Sequence, residues 1–170
     1  LFHQALSLLD PESYNVSLGY PLPRTPLFGF FNHLMEVMTS MNGDRVYIPY
    51  YLQFVLHPYT KNIYFQGKAD VTRILFHAIE ETLTEKRTKK FLSLSEMETD
   101  EVIIDSIKER ALRVEPGITL KMMREHLEAI HTNTIRKMLS FKDVGDFARK
   151  LKEVVEYIYQ NSTARLHPFF

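Results

Sequence analysis

From Ile118 to Asn161 the sequence carries two runs of helical periodicity with almost nothing between them, and this most limits what the chain can fold into. In the first run Leu120, Met123, Leu127, Ile130 and Met138 step by threes and fours, apart from a slot near Thr134. That spacing places them on one face of an α-helix. Pro116 and Gly117 stop whatever precedes, and Thr119 can accept a bond from an orphan N–H of the first turn. In the second run Val144, Ala148, Leu151, Val155 and Ile158 form a heptad-like seam. Ser140 with Asp143 is a loose capping box for its start. So short a connection predicts antiparallel neighbours. Gly145 either costs the second helix about 1 kcal/mol relative to Ala or lets a partner helix come close.

The rest of the chain must pack on this hairpin. Residues 1–9 read as a short helix and 13–26 as a proline-punctuated loop. Leu27–Met41 reads as a helix apolar on most sides, hence buried. Asn42-Gly43-Asp44 is a turn. Val46-Tyr47-Ile48 is β-prone and Pro49 suits the first turn of a helix that His57-Pro58 closes. Asn62–Gln66 is β-prone too, so the two segments are expected to make a small β-hairpin or a pair of edges. Asp70 caps a helix running to about Lys90, with Val71, Ile74, Leu75, Ala78, Ile79 and Leu83 on its inner face. Ser95 with Glu98 reads as a capping box for a helix over 96–114, whose inner face is Met97, Ile104, Ile107, Ala111 and Val114. Residues 162–170 read as a non-helical tail.

The expected fold class is mainly α: a helical bundle with a C-terminal antiparallel hairpin, an aromatic, loop-rich N-terminal layer and room for one small β-hairpin. Residues 1–67 make the layer, 68–161 the bundle and 162–170 the tail. The first sixty residues hold most of the prolines and over half of the aromatics but few charges. Such a segment would stand alone poorly, so one domain over 1–170 is expected. Because the chain opens on Leu1 and stops at Phe170, it is expected to be a piece of a larger protein.

Composition narrows function by exclusion. A chain of 170 residues can bury about 70% of its unfolded surface. Lys plus Arg equals Asp plus Glu, so no global field draws it to nucleic acid or an anionic membrane. Without cysteine there are no disulfides, thiolate chemistry or Cys-based zinc sites, which favours an intracellular, cytoplasmic or nuclear setting. No apolar run reaches the ~18 residues that span a bilayer. No cofactor motif is visible: there is no glycine-rich phosphate loop and no nucleophile elbow. His126 and His131 lie on one helix five residues apart, so their rings diverge by roughly 140° and no metal pair is expected.

Two clusters remain as binding candidates. Tyr47, Tyr50, Tyr51, Phe54 and Tyr59 form the better one. Tyrosine offers contact area together with a hydroxyl, which suits a protein partner. The alternative is a half-buried core layer. Lys86, Arg87, Lys89 and Lys90 could hold an anion, against the plainer reading that they complement a helix C-terminus. The acidic stretch from Glu96 to Glu101 could neutralise them, which makes nucleic acid the less expected partner.

The helix carrying His126-Leu127-Glu128-Ala129-Ile130-His131, the helix after it and a tail opening His167-Pro168-Phe169 together resemble the Fic/Doc-fold proteins. The resemblance covers the C-terminal third. It implies transfer of a nucleotide monophosphate onto a protein hydroxyl, with His167 as general base and Phe169 packed beneath the site. The chain stops before the acidic metal ligand and the Gly-Asn-Gly-Arg segment that follow in the family, and the interval between its helices is too short for the family's flap. The first expectation is therefore a non-catalytic interaction or scaffold domain, with a truncated nucleotidyl transferase as the alternative and phosphate or nucleic-acid binding third.

Overall fold

The computed structural model of the chain describes residues 21–85 and 89–166. The helix expected over 1–9, most of the proline loop, Lys86, Arg87 and the His167-Pro168-Phe169 tail lie outside the described residues. The fold is mainly α with one small two-stranded sheet.

A single 3₁₀ turn, Leu22–Arg24, leads into α1, Pro26–Ser40. Its start follows from local chemistry. The Thr25 side chain accepts the N–H of Phe28, and Pro26 occupies the first turn, where its missing N–H costs nothing. Phe30, Leu34 and Val37 are fully buried. The chain then turns through Gly43, whose φ of 64° is the left-handed region that glycine enters without strain. Strand β1, Arg45–Tyr47, passes directly into α2, Ile48–Leu56, with Pro49 in its first turn.

The strand partner is not the expected one. β1 pairs antiparallel with β2, Phe91–Ser93, with Arg45 opposite Ser93, Val46 opposite Leu92 and Tyr47 opposite Phe91. The segment 62–66 is engaged elsewhere. Ile63 bridges Ser162, the N–H of Tyr64 donates to the Asn161 carbonyl at 2.6 Å, and Phe65 bridges Lys68. That segment holds the C-terminal end of the last helix, so its ladder groups are not available to β1.

After the short helix α3, Pro58–Lys61, comes α4, Asp70–Glu85. Its inner face is Val71, Leu75, Phe76, Ala78, Ile79 and Leu83, all buried. It ends short of the expected Lys90, because Lys89 and Lys90 already lead into β2. The expected helix over 96–114 is two helices. Ser93, not Ser95, makes the capping box: its hydroxyl accepts the N–H of Glu96, and Glu96 accepts the N–H of Ser93. This starts α5, Leu94–Thr99. Asp100 then breaks the run and caps α6, Glu101–Val114, by accepting from Val102 and Ile103. Ile103, Ile104, Ile107 and Ala111 are fully buried against α4, while Val114 is exposed. Each such isoleucine contributes about 1.5–3 kcal/mol of apolar burial. A pair between Arg110 and Glu81, 2.8 Å, sits at the rim of that contact.

The hairpin begins with α7, Leu120–His131, capped by Thr119. At Thr132–Arg136 the helix widens into a π turn before one more α turn reaches Met138. A π turn leaves a carbonyl short of its N–H donor. Here side chains help: the Thr134 hydroxyl donates to Ile130 O at 2.6 Å, and the Asn133 amide to Ala129 O at 2.8 Å. The slot expected near Thr134 is this widened turn. Helix α8, Val144–Asn161, starts at Asp143, not Ser140: the Asp143 carboxylate accepts the N–H of Asp146. α8 meets the π segment, and Lys137 pairs with Glu153 at 2.9 Å.

The seam of α8 is rotated from the expected one. Val154 and Ile158 are fully buried, with Phe147, Leu151 and Tyr157 packed beside them, but Ala148 is exposed and Val144 is 82% exposed. Val144 and Gly145, which open α8, are both exposed. Gly145 faces no partner helix; a Cβ there would lie 3.2 Å from the Asp143 capping carboxylate. The buried side chains, from Phe30 to Ala164, form one contiguous core.

Candidate functional site

The fold divides the aromatic cluster. Tyr51, Phe54 and Tyr59 are core side chains, so they are not the surface that the sequence allowed for; Tyr47 and Tyr50 are half-buried. Phe54 meets Phe30 at a tilt of 40° with centroids 5.5 Å apart, and Phe30 also meets Tyr59 at 6.1 Å. The reason is helical phase. Tyr51, Phe54 and Val55 share the inner face of α2, while Tyr50 lies on its flank.

Tyr51 ends in the most organised polar cluster of the described residues. Its hydroxyl lies 2.9 Å from His131 Nε2, and His131 Nδ1 lies 2.6 Å from Glu98 Oε1. Arg136 clamps Glu98 with two bonds, 2.7 and 2.8 Å, and reaches Ser95 Oγ at 3.4 Å. The carboxylate can only accept, so His131 Nδ1 carries a hydrogen. Neutral His131 then accepts the Tyr51 O–H at Nε2, and each group has a partner. The network joins α2, α5 and the C-terminal end of α7. The π turn matters to it, because one extra residue in the turn sets where Arg136 points relative to His131.

The electrostatics follow from burial. Burial, reinforced by the Glu98 charge, pushes the Tyr51 hydroxyl far above the ordinary tyrosine range. His131 is held below its ordinary value by burial, which the bond to Glu98 only partly offsets. Burial would raise Glu98, but its bonds to His131 and Arg136 and their charges reverse this and hold it low. Tyr51 and His131 have no solvent exposure, so no substrate reaches this triad-like chain. Its chemistry is to fix three helices in register.

His126 and His57 are also turned inward. His126 lies 2.7 Å from Thr72 Oγ1 and edge-on to Phe65; burial pushes it down to about 4. His57 accepts the N–H of Tyr59 at Nδ1, capping α3, and burial with the neighbouring His33 pushes it down to about 4. Among the described residues no three His, Asp or Glu side chains gather as a metal site requires. His126 and His131 face different helices, α4 in one case and α2 with α5 in the other.

What the structure does bring together is Tyr47 from one sequence candidate with Lys89 and Lys90 from the other. Tyr47, Ile48, Pro49, Leu52, Leu83, Thr84, Lys89 and Lys90 line a groove of about 480 Å³. Ile48 and Leu83 are nearly buried and make its floor. The Tyr47 ring is braced by Tyr50 at 5.2 Å and Phe91 at 5.3 Å. The Ile48 N–H donates to the Lys90 carbonyl at 3.0 Å, which extends the β1–β2 ladder and sets the two lysines at the lip. Both lysines are exposed, and among the described residues neither is in an ion pair; Glu96, the nearby carboxylate, is approached by Arg45 at 4.0 Å. Sequence reasoning named Tyr47, Lys89 and Lys90 separately. It missed Leu52, Leu83 and Thr84, since no local pattern links α2, α4 and β2.

No helix of the described residues is long and apolar enough to cross a membrane. Compared with family models, curated proteins and solved structures, the chain matches none of them.

Proposed function

We propose that this is a non-catalytic protein-interaction domain that receives a short segment of a partner protein in the groove between α2, α4 and the β1–β2 sheet. The observation that carries the reading is the groove: an apolar floor of Ile48 and Leu83, a braced aromatic wall at Tyr47 and a polar lip, about 480 Å³ in all. An apolar concavity with a few polar groups at its edge is the usual form of a binding site. Aromatic side chains held by their neighbours bind with little loss of conformational freedom, which favours anchoring at Tyr47. The burial of Tyr51 and His131 speaks against catalysis at the polar network, whereas the groove is open to solvent.

The test is a random peptide library displayed against the 170-residue chain and against Thr84→Trp. Thr84 is exposed on α4 and lines the groove, so an indole there fills it without entering the core. Peptides that bind the parent and lose binding to Thr84→Trp, with circular dichroism unchanged, support the reading. Peptides that bind both proteins equally would place recognition elsewhere.

A further inference from the structure

Resting on that reading of the groove, we infer that its occupant is an acidic peptide segment: one or two bulky apolar residues flanked by Asp or Glu. The argument is one of charge and shape at a single lip. Lys89 and Lys90 are adjacent in sequence and exposed, and both line the groove. Among the described residues no carboxylate closes an ion pair with either. Glu96 feels the charge of Lys89, but the Ser93 backbone and hydroxyl, together with Arg45, already hold it. The two cations therefore keep charge to offer across the rim. Beneath them the floor is apolar, from Ile48, Leu52 and Leu83.

That pairing separates the candidate ligands. A phosphate or a nucleic-acid backbone wants convergent donors, Arg forks or backbone N–H groups, and gains nothing from Ile48 and Leu83. The chain as a whole adds no basic field, since its net charge is zero. A volume of this size takes roughly two or three side chains, well short of a whole domain face. A peptide with apolar anchors meets the floor, and carboxylates beside the anchors meet Lys89 and Lys90. Rim charges of this kind set specificity and association rate more than raw affinity.

The same display selection reads the inference through the sequences recovered. Selection on the parent chain should enrich Asp and Glu next to the apolar anchors. Lys89→Glu/Lys90→Glu should weaken the selected peptides by on the order of tenfold at low salt, with the difference shrinking as salt is added. Selection on that variant should enrich Lys and Arg instead. Groove-dependent peptides without acidic enrichment, or with affinity indifferent to the lysine reversal, would overturn the acidic occupant and leave the groove standing. Peptides indifferent to Thr84→Trp would overturn the groove itself. A fluorescent oligothymidylate that binds the parent chain and displaces the peptides would overturn the inference in favour of nucleic acid.

Discussion

Glu98→Gln is the sharpest perturbation of the interior. The Glu98 side chain is 11% exposed and accepts three hydrogen bonds, from His131 Nδ1 at 2.6 Å and from Arg136 at 2.7 and 2.8 Å. Glutamine keeps the shape but not the charge, and its amide N–H₂ must face one of those donors. If His131 changed tautomer to accept that amide, its Nε2–H would point at Tyr51, whose O–H would lose its acceptor. With the amide nitrogen in place of Oε2 one bond from Arg136 is lost, and in place of Oε1 one from Arg136 and one from His131, each contributing about 1.5–3 kcal/mol. Removing one partner from a buried pair costs about 3–5 kcal/mol. Arg136 is part-exposed and water relieves some of its loss, so the lower end applies, about 3 kcal/mol. For a chain of this length that lowers the melting temperature by on the order of 10 °C. Urea unfolding followed by circular dichroism measures the loss. Adding Arg136→Met to Glu98→Gln should recover part of it, because the stranded guanidinium is gone. A loss below about 1 kcal/mol, the level of a surface pair, would refute the reasoning.

Other consequences are open to measurement. Deleting Thr134 removes the extra residue of the π turn and swings Arg136 by roughly 100° off Glu98. It should cost about as much as Glu98→Gln, and the two changes should not add. Ile158→Ala should cost about 2–5 kcal/mol by leaving a cavity, whereas Val144→Ala should stay within about 0.5 kcal/mol. Equal costs would restore the seam that the heptad spacing implied. Acid should destabilise the chain in two stages. His126, moved from 6.5 to about 4, is favoured neutral in the fold, so its contribution is whole above 6.5 and is lost as pH falls toward 4. That displacement amounts to roughly 3 kcal/mol. Glu98 is favoured ionised, so its share is whole above its ordinary 4.5 and goes as pH falls through its lower folded value. A stability profile flat from pH 7 to about 4.5 would contradict the first stage.

Much of the helical frame was legible from spacing and caps. The inner faces of α4 and α7, the Asn42-Gly43 turn, Pro49 in a first turn and Thr119 as a cap depend on residues a few positions apart, where local rules act. The failures are of other kinds. β1 pairs with β2 across the whole of residues 48–90, and three-residue strands carry no alternation to match them. The string Ser93-Leu94-Ser95-Glu96-Met97-Glu98 holds two overlapping capping boxes, and only the end of β2 and the partners of Glu98 decide between them. In α8 two seams share Leu151 and Ile158, so periodicity alone does not choose the phase. Of the candidate sites, Tyr47, Lys89 and Lys90 were visible as residue types in clusters. The network was not, since Tyr51, Glu98, His131 and Arg136 come from three places in the chain and no motif joins them.

The role proposed for the groove presumes that the interior network of Tyr51, His131, Glu98 and Arg136 is closed and structural. The direct measurement is nitrogen NMR of the His131 ring at pH 6.5, where an ordinary histidine is half protonated. A neutral ring with its hydrogen on Nδ1 and none on Nε2 is the predicted result. A half-protonated ring, or one with hydrogen on Nε2 alone, would mean that Tyr51 and Glu98 are not its fixed partners, and the assignment of this network to structure would be contradicted.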